Sequence, residues 1–202
     1  MTLDELRPVA DRLIGPFVTG ARRLGLSPDG VSVLAAAVAG GAGASFYLAG
    51  DRPPAYLLGA ALVFCNGVLD LVDGALAREL EADSSAGDLL DHVLDRYADV
   101  AIIAGLAAGV EAYGLGFAAV TGVLLTSYLG TQAEAVGLDR VYGGLLGRAD
   151  RLALVGVTAV VAAVTDATTA GLDSVAWLLV VFAVVGHLTA LQRFYYAMRD
   201  LR

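Results

Sequence analysis

Asp70-Leu71-Val72-Asp73-Gly74-Ala75-Leu76-Ala77-Arg78 is followed, eight residues later, by Gly87-Asp88-Leu89-Leu90-Asp91-His92-Val93-Leu94-Asp95. Four regularly spaced carboxylates, Asp70, Asp73, Asp91 and Asp95, therefore stand inside an otherwise apolar chain. A charged residue at the centre of a membrane helix costs about 2.5 to 3.5 kcal/mol on insertion scales, so four cost roughly 10 to 14 kcal/mol unless something neutralises them. A pair of metal ions is the obvious neutralising group.

Working outward, the flanking sequence makes the chain an integral membrane protein. Of its 202 residues 57% are hydrophobic, the mean hydropathy is +0.71, and several apolar runs approach the length of a span. Gly, Pro and charged residues divide it into six candidate spans at 30–49, 54–78, 85–110, 114–136, 150–167 and 174–198. Ser27-Pro28-Asp29 reads as a helix start, and Pro53-Pro54 restarts the chain after Gly50-Asp51-Arg52. Residues 1–23 mix Asp4, Glu5, Arg7, Asp11, Arg12, Arg22 and Arg23 with apolar positions. That pattern argues against a cleavable signal peptide and for an amphipathic helix at the membrane surface. The expected fold is thus all-α, with an interfacial helix over 1–25 and a six-helix transmembrane bundle over 26–202, forming one domain.

Orientation follows from the arginines, because the chain has no lysine. Twelve of its thirteen arginines fall on one side of this layout and only Arg52 falls opposite. By the positive-inside rule both termini and the loops at 79–84 and 137–149 are expected in the cytoplasm, with the four carboxylates opening toward it. Asp70 and Asp73 share one face of the second span, and Asp91 and Asp95 share one face of the third. With the turn near residue 82, the two pairs stand at about 13 Å and 18 to 20 Å of helix from it, so all four can converge. Hard oxygen donors without His or Cys favour Mg²⁺ or Mn²⁺, and two such ions can clamp a diphosphate. Gly74 and Gly87 suit a close approach of ligand to helix, and Arg78 suits phosphate.

The pattern D-x2-D-G-x2-A-R-x8-G-x3-D-x3-D resembles the signature of the CDP-alcohol phosphotransferases, and Asp70, Asp73, Gly74, Ala77, Arg78, Gly87, Asp91 and Asp95 fill its eight fixed positions. Eight such matches arise by chance at roughly 10⁻⁸ per starting position. The resemblance covers essentially the whole chain. It implies that Asp70, Asp73 and Asp91 are the principal ligands of two Mg²⁺ or Mn²⁺ ions, with Asp95 near the metals and acting as the base toward an acceptor hydroxyl. It also implies that Asp70, Gly74, Ala77, Arg78 and Gly87 contact the CDP part of a CDP-lipid donor. The implied reaction is attack by an alcohol on the β-phosphorus with release of CMP, as expected of a multi-pass cell-membrane enzyme that acts as a homodimer and has no nucleic-acid partner.

Ser127-Tyr128, Ala133 to Leu138 and Gly143 to Leu152 resemble the inositol-phosphate-using members of that family, the archaetidylinositol phosphate and phosphatidylinositol phosphate synthases. This implies an acceptor-phosphate site formed by Arg148, Arg151 and Arg193. Gly130 and Gln132 depart from bacterial relatives, which often carry Lys and Arg there, so glycerol 3-phosphate stays open as an acceptor. Net charge −8, a pI near 4.6 and the absence of lysine suggest a high-salt cytoplasm and hence CDP-archaeol, with CDP-diacylglycerol as the alternative. A membrane prenyltransferase would not require the Gly-x2-Ala-Arg spacing, and a transporter should show inverted repeats or broken spans, which are not evident in the sequence. Three further residues carry structural expectations: Asn66 and Asp99 satisfy each other, and Cys65 is a small buried filler. Asp83 and Ser84 are expected to cap the third span, and His92 is not expected to be a ligand.

Overall fold

The computed structural model describes residues 7–81, 84–138 and 146–202. Its helices are α1 (Arg7–Arg23), α2 (Pro28–Ala49), α3 (Ala55–Glu79), α4 (Ser85–Gly109), α5 (Tyr113–Ala135), α6 (Arg148–Val164) and α7 (Ser174–Asp200). There are no strands among the described residues, and one isolated bridge joins Thr169 to Leu172 ahead of α7.

The helix starts follow local chemistry. Ser27 accepts from the Gly30 amide at 3.1 Å with Pro28 in the first turn, Ser84 accepts from Gly87 at 3.0 Å, and Asp173 accepts from Ala176 at 2.7 Å. Ser84 therefore caps α4 as expected, while Asp83 lies outside the described residues. Gly25 takes a φ of 70° in the turn from α1 to α2, a conformation costly for other residues.

Four helices, α2, α3, α5 and α7, are long and apolar enough to cross a membrane on length and composition alone. The other two expected spans differ for identifiable reasons. Residues 85–99 of α4 carry Asp88, Asp91, Asp95, Arg96 and Asp99, and α6, with 17 residues, measures only about 25 Å. α6 also begins at Arg148 and ends at Val164, against the expected 150–167.

α2 is the central wedge, packing on both α3 and α4, whereas α3 and α4 make no direct helix-to-helix packing of their own. Glycine makes the wedge possible. A Cβ at Gly43 would strike the Ala101 carbonyl, and one at Gly105 would strike the backbone of Gly43. Gly43 is thus used inside the chain, between α2 and α4. Gly122 and Gly186 allow a similar approach of α5 to α7. The main core runs through Phe46, Ile102, Leu106, Leu179 and Phe182. A second cluster docks α1 through Ile14, Val18 and Ala21 onto Val31, Val72 and Leu76, and Arg22 pairs with Glu79 at 2.6 Å. Cys65 corrects its expectation: it is exposed on the outer side of α3, where a thiol is as acceptable to an apolar solvent as to a core.

The wedge predicts an asymmetry between glycines. Gly105→Ala must push α2 from α4 and is expected to cost about 1–3 kcal/mol. Thermal unfolding followed by circular dichroism in detergent should show a lowered Tm for that variant. Gly156→Ala, where nothing lies within 4 Å of the added carbon, should leave Tm unchanged.

Candidate active site

Because α2 holds α3 and α4 apart, the acidic faces of the two helices look into a gap rather than into a packed interface. Carboxylate oxygens of Asp70, Asp91 and Asp95 come within 4.8 Å of one another across it. This donor set is all oxygen, and no His or Cys joins it among the described residues. The Nδ1 of His92 instead lies 2.9 Å from the Asp88 carbonyl and 3.5 Å from its carboxylate. Three half-buried carboxylates so close together repel unless cations sit among them, and hard oxygen ligands of this kind fit a hard divalent ion. Asp73 is placed differently: it is buried, accepts a hydrogen bond from Ser32 on α2 at 2.9 Å, and is not one of the three acids whose oxygens converge.

Arg148, at the first position of α6, reaches into the same gap. Its guanidinium pairs with Asp70 and lies 2.7 Å from Asp95. α6 packs on α3, which carries its N-terminus to the acids. Arg96, adjacent to Asp95, lies 3.5 Å from that carboxylate and also donates to the Ser127 hydroxyl of α5.

Two cavities flank α4. The first, about 490 Å³, is lined by Pro28, Asp29 and Ser32 of α2, by Asp73, Gly74 and Ala77 of α3, and by Ser84, Gly87, Asp88 and Asp91 around the start of α4. Gly87 matters here because a Cβ at that position would stand 3.0 Å from the Asp29 carboxylate. Arg78 is exposed one turn beyond Gly74. The second cavity, about 840 Å³, lies between α4, α5, α6 and α7 and is lined by Asp95, Arg96, Ser127, Gly130, Arg148, Arg151 and Arg193, among others. Asp91 borders the first cavity and Asp95 the second, so the acidic cluster stands where the two compartments meet.

The arginines expected to bind an acceptor phosphate are thus brought to one cavity, each with a partner. Arg151 pairs with Asp99 at 3.0 Å, and Arg193 donates to the Thr126 carbonyl at 2.7 Å. Thr126 in turn donates to the Gly122 and Gly186 carbonyls, each at 2.9 Å, tying α5 to α7. Gly130 forms part of the cavity wall, whereas Gln132 is exposed. The expected pairing of Asn66 with Asp99 is not found. Asn66 donates to the Ala35 carbonyl at 3.0 Å, and Asp99 is taken by arginines, which offset a buried charge far better than an amide. Residues 139–145, including Gly143 and Gly144 of the inositol-type stretch, lie outside the described residues.

Sequence reasoning missed Ser32, Asp29 and Arg96. The first two belong to a segment whose Ser-Pro-Asp start explains itself as a helix cap, which masks any second role. Arg96 did carry a signal, since it follows Asp95 directly and precedes Asp99 by three positions on the same helix.

Comparison with known proteins identifies the family. Residues 26–185 match the sequence pattern of the CDP-alcohol phosphatidyltransferase domain. Archaetidylinositol phosphate synthase of Methanothermobacter thermautotrophicus is 31% identical over 205 residues, covering 99% of this chain and 96% of the relative. The crystal structure of Mycobacterium tuberculosis phosphatidylinositol phosphate synthase with CDP-DAG bound superimposes with a TM-score of 0.78 at 27% identity, covering 92% of this chain and 94% of the other. The same enzyme in complex with manganese and citrate gives 0.77 at 27% identity, with 91% and 88% covered. The eight motif positions, the full-length relative and the shared fold have one explanation: this chain is a transferase of substituted phosphate groups and belongs to the CDP-alcohol phosphatidyltransferase family.

Proposed function

We propose that the chain transfers the lipid phosphate of CDP-archaeol to a hydroxyl of inositol 1-phosphate and releases CMP. The observation that carries this reading is the meeting of two cavities at the Asp91 and Asp95 cluster, one walled by the Gly74, Ala77 and Gly87 motif and the other by four arginines. The first cavity takes the CDP group of the donor, with Asp70, Gly74, Ala77, Arg78 and Gly87 as its contacts. The second takes the polyol phosphate, whose dianion suits the forked donors of Arg148, Arg151 and Arg193.

In this reading Asp70, Asp73, Asp91 and Asp95 hold two Mg²⁺ or Mn²⁺ ions, which supply charge neutralisation for the diphosphate and the departing phosphate. The protein does the remainder. Asp95, facing the acceptor cavity beside Arg96 and Arg148, accepts the hydroxyl proton as that oxygen bonds to the β-phosphorus. The bond from this phosphorus to the CMP oxygen breaks, and CMP leaves through the first cavity. The arginines hold the acceptor with its hydroxyl toward the cluster, so that two substrates arriving from opposite sides of α4 react at their common boundary.

The archaeal donor is supported by the near-complete coverage of an archaetidylinositol phosphate synthase together with the lysine-free, acidic composition. We further propose that all six helices from α2 to α7 cross the membrane. The charges of α4 face the two cavities and the acidic cluster rather than lipid, and the length of α6 suits a short or locally thinned span. The arginine distribution supports a site that opens toward the cytoplasm. Assembly as a homodimer completes the proposal. Gly40, on the exposed side of α2, remains open for close helix approach where Gly43 does not.

Two measurements test this reading. Purified protein with Mg²⁺ and CDP-archaeol should release CMP rapidly with inositol 1-phosphate and slowly with glycerol 3-phosphate, serine or free inositol, and fast turnover with serine alone contradicts the phosphate site. Asp95→Asn should reduce CMP release by about 10²-fold or more while the fold is kept, as expected when a general base is lost.

A further inference from the structure

Asp99 lies one turn beyond Asp95 on α4, is 5% exposed, and is not one of the motif acids. Its carboxylate faces three guanidinium groups: Arg151 at 3.0 Å, Arg96 at 3.4 Å and Arg148 at 4.0 Å. All three arginines line the second cavity, whereas Asp99 does not reach its wall and stands behind them. Burying a lone carboxylate at this depth is costly, and Asn66, at similar depth, is occupied elsewhere. The arginines also have a difficulty that Asp99 resolves. Cations crowded around one cavity repel each other and splay, and fixing each long side chain costs rotamer freedom. Asp99 accepts a hydrogen bond from Arg151 and stands within ion-pair distance of Arg96 and Arg148. Ser127 and Asp95 hold the other nitrogens of Arg96, and Asp70 and Asp95 hold those of Arg148.

We propose that Asp99 is a positioning residue for the acceptor phosphate, anchoring Arg96, Arg148 and Arg151 from behind, and that Arg96 thereby belongs to the acceptor site. Arg96 is held from a second side by Ser127, so its guanidinium spans α4 and α5 at the rim of the acidic cluster. Arg193, secured by a backbone carbonyl instead, does not depend on Asp99. The inference rests on the reading of the second cavity as the acceptor site.

The test is steady-state kinetics of the full chain in lipid nanodiscs, varying inositol 1-phosphate and CDP-archaeol separately. Asp99→Asn, close to isosteric, should raise the acceptor KM by about tenfold or more while the donor KM stays within about twofold. Asp99→Glu should recover part of the loss. Combining Asp99→Asn with Arg151→Gln should be less than additive, and combining it with Arg193→Gln should be additive. A role in packing alone would move both KM values together, or Tm without either, and that result overturns the proposal. If Arg151→Gln and Arg193→Gln raise the acceptor KM but Asp99→Asn does not, the proposal fails while the cavity assignment stands. If neither arginine variant changes it, the cavity assignment itself fails and the proposal with it. Should Asp99→Asn not fold, Arg96→Lys and Arg151→Lys keep the charge but lose the fork. An unchanged acceptor KM in both then overturns the proposal.

Discussion

Carboxylates buried among apolar helices must meet positive charge, and most of this architecture can be understood as the means of arranging that. Two acid-bearing helices packed directly on one another would drive Asp70, Asp91 and Asp95 into a dry interface at a prohibitive electrostatic cost. Here α2 enters as a wedge, its backbone brought close to α4 by Gly43 and Gly105, and leaves a gap into which the acids project. Arg148 enters that gap from α6, and Ser32 of α2 hydrogen-bonds Asp73. The same gap is therefore the place where charge is concentrated and where a ligand can enter.

The arrangement gives α4 two working faces. Asp91 looks toward the compartment walled by α2 and α3, and Asp95 toward the one walled by α5, α6 and α7. A reaction joining two substrates needs such a boundary, because each must be bound by its own chemistry and yet meet the other at a fixed distance. Small residues and acids line one side and arginines line the other. In the proposed reaction, that contrast separates a nucleotide diphosphate accompanied by cations from a phosphate bound directly by protein.

Much of this was legible in the sequence, for a definite reason. Helical periodicity fixes which residues share a face, so Asp70 with Asp73 and Asp91 with Asp95 could be placed before any fold was known. Ser84 and Ser27 announce their helix starts through ordinary capping chemistry. What periodicity cannot supply is which helix faces which. It did not reveal that Asp73 turns to Ser32, that Asp99 prefers Arg151 and Arg96 to Asn66, or that Cys65 faces outward. The span count shows the converse problem. Residues 85–110 are an expected span, yet α4 is not among the four helices apolar enough to cross the membrane by composition, because its acids and Arg96 are gathered at an interior cluster.

The proposed reaction depends on these carboxylates forming one site, shared between α3 and α4, that holds the divalent cations. Mn²⁺ titration of the purified, substrate-free protein, followed by electron paramagnetic resonance, tests it most directly. Saturable binding that is strongly weakened both by Asp70→Asn and by Asp91→Asn, one change on each helix, is the predicted result. Binding that either variant leaves intact would contradict a shared site and, with it, the reason for the gap that α2 holds open.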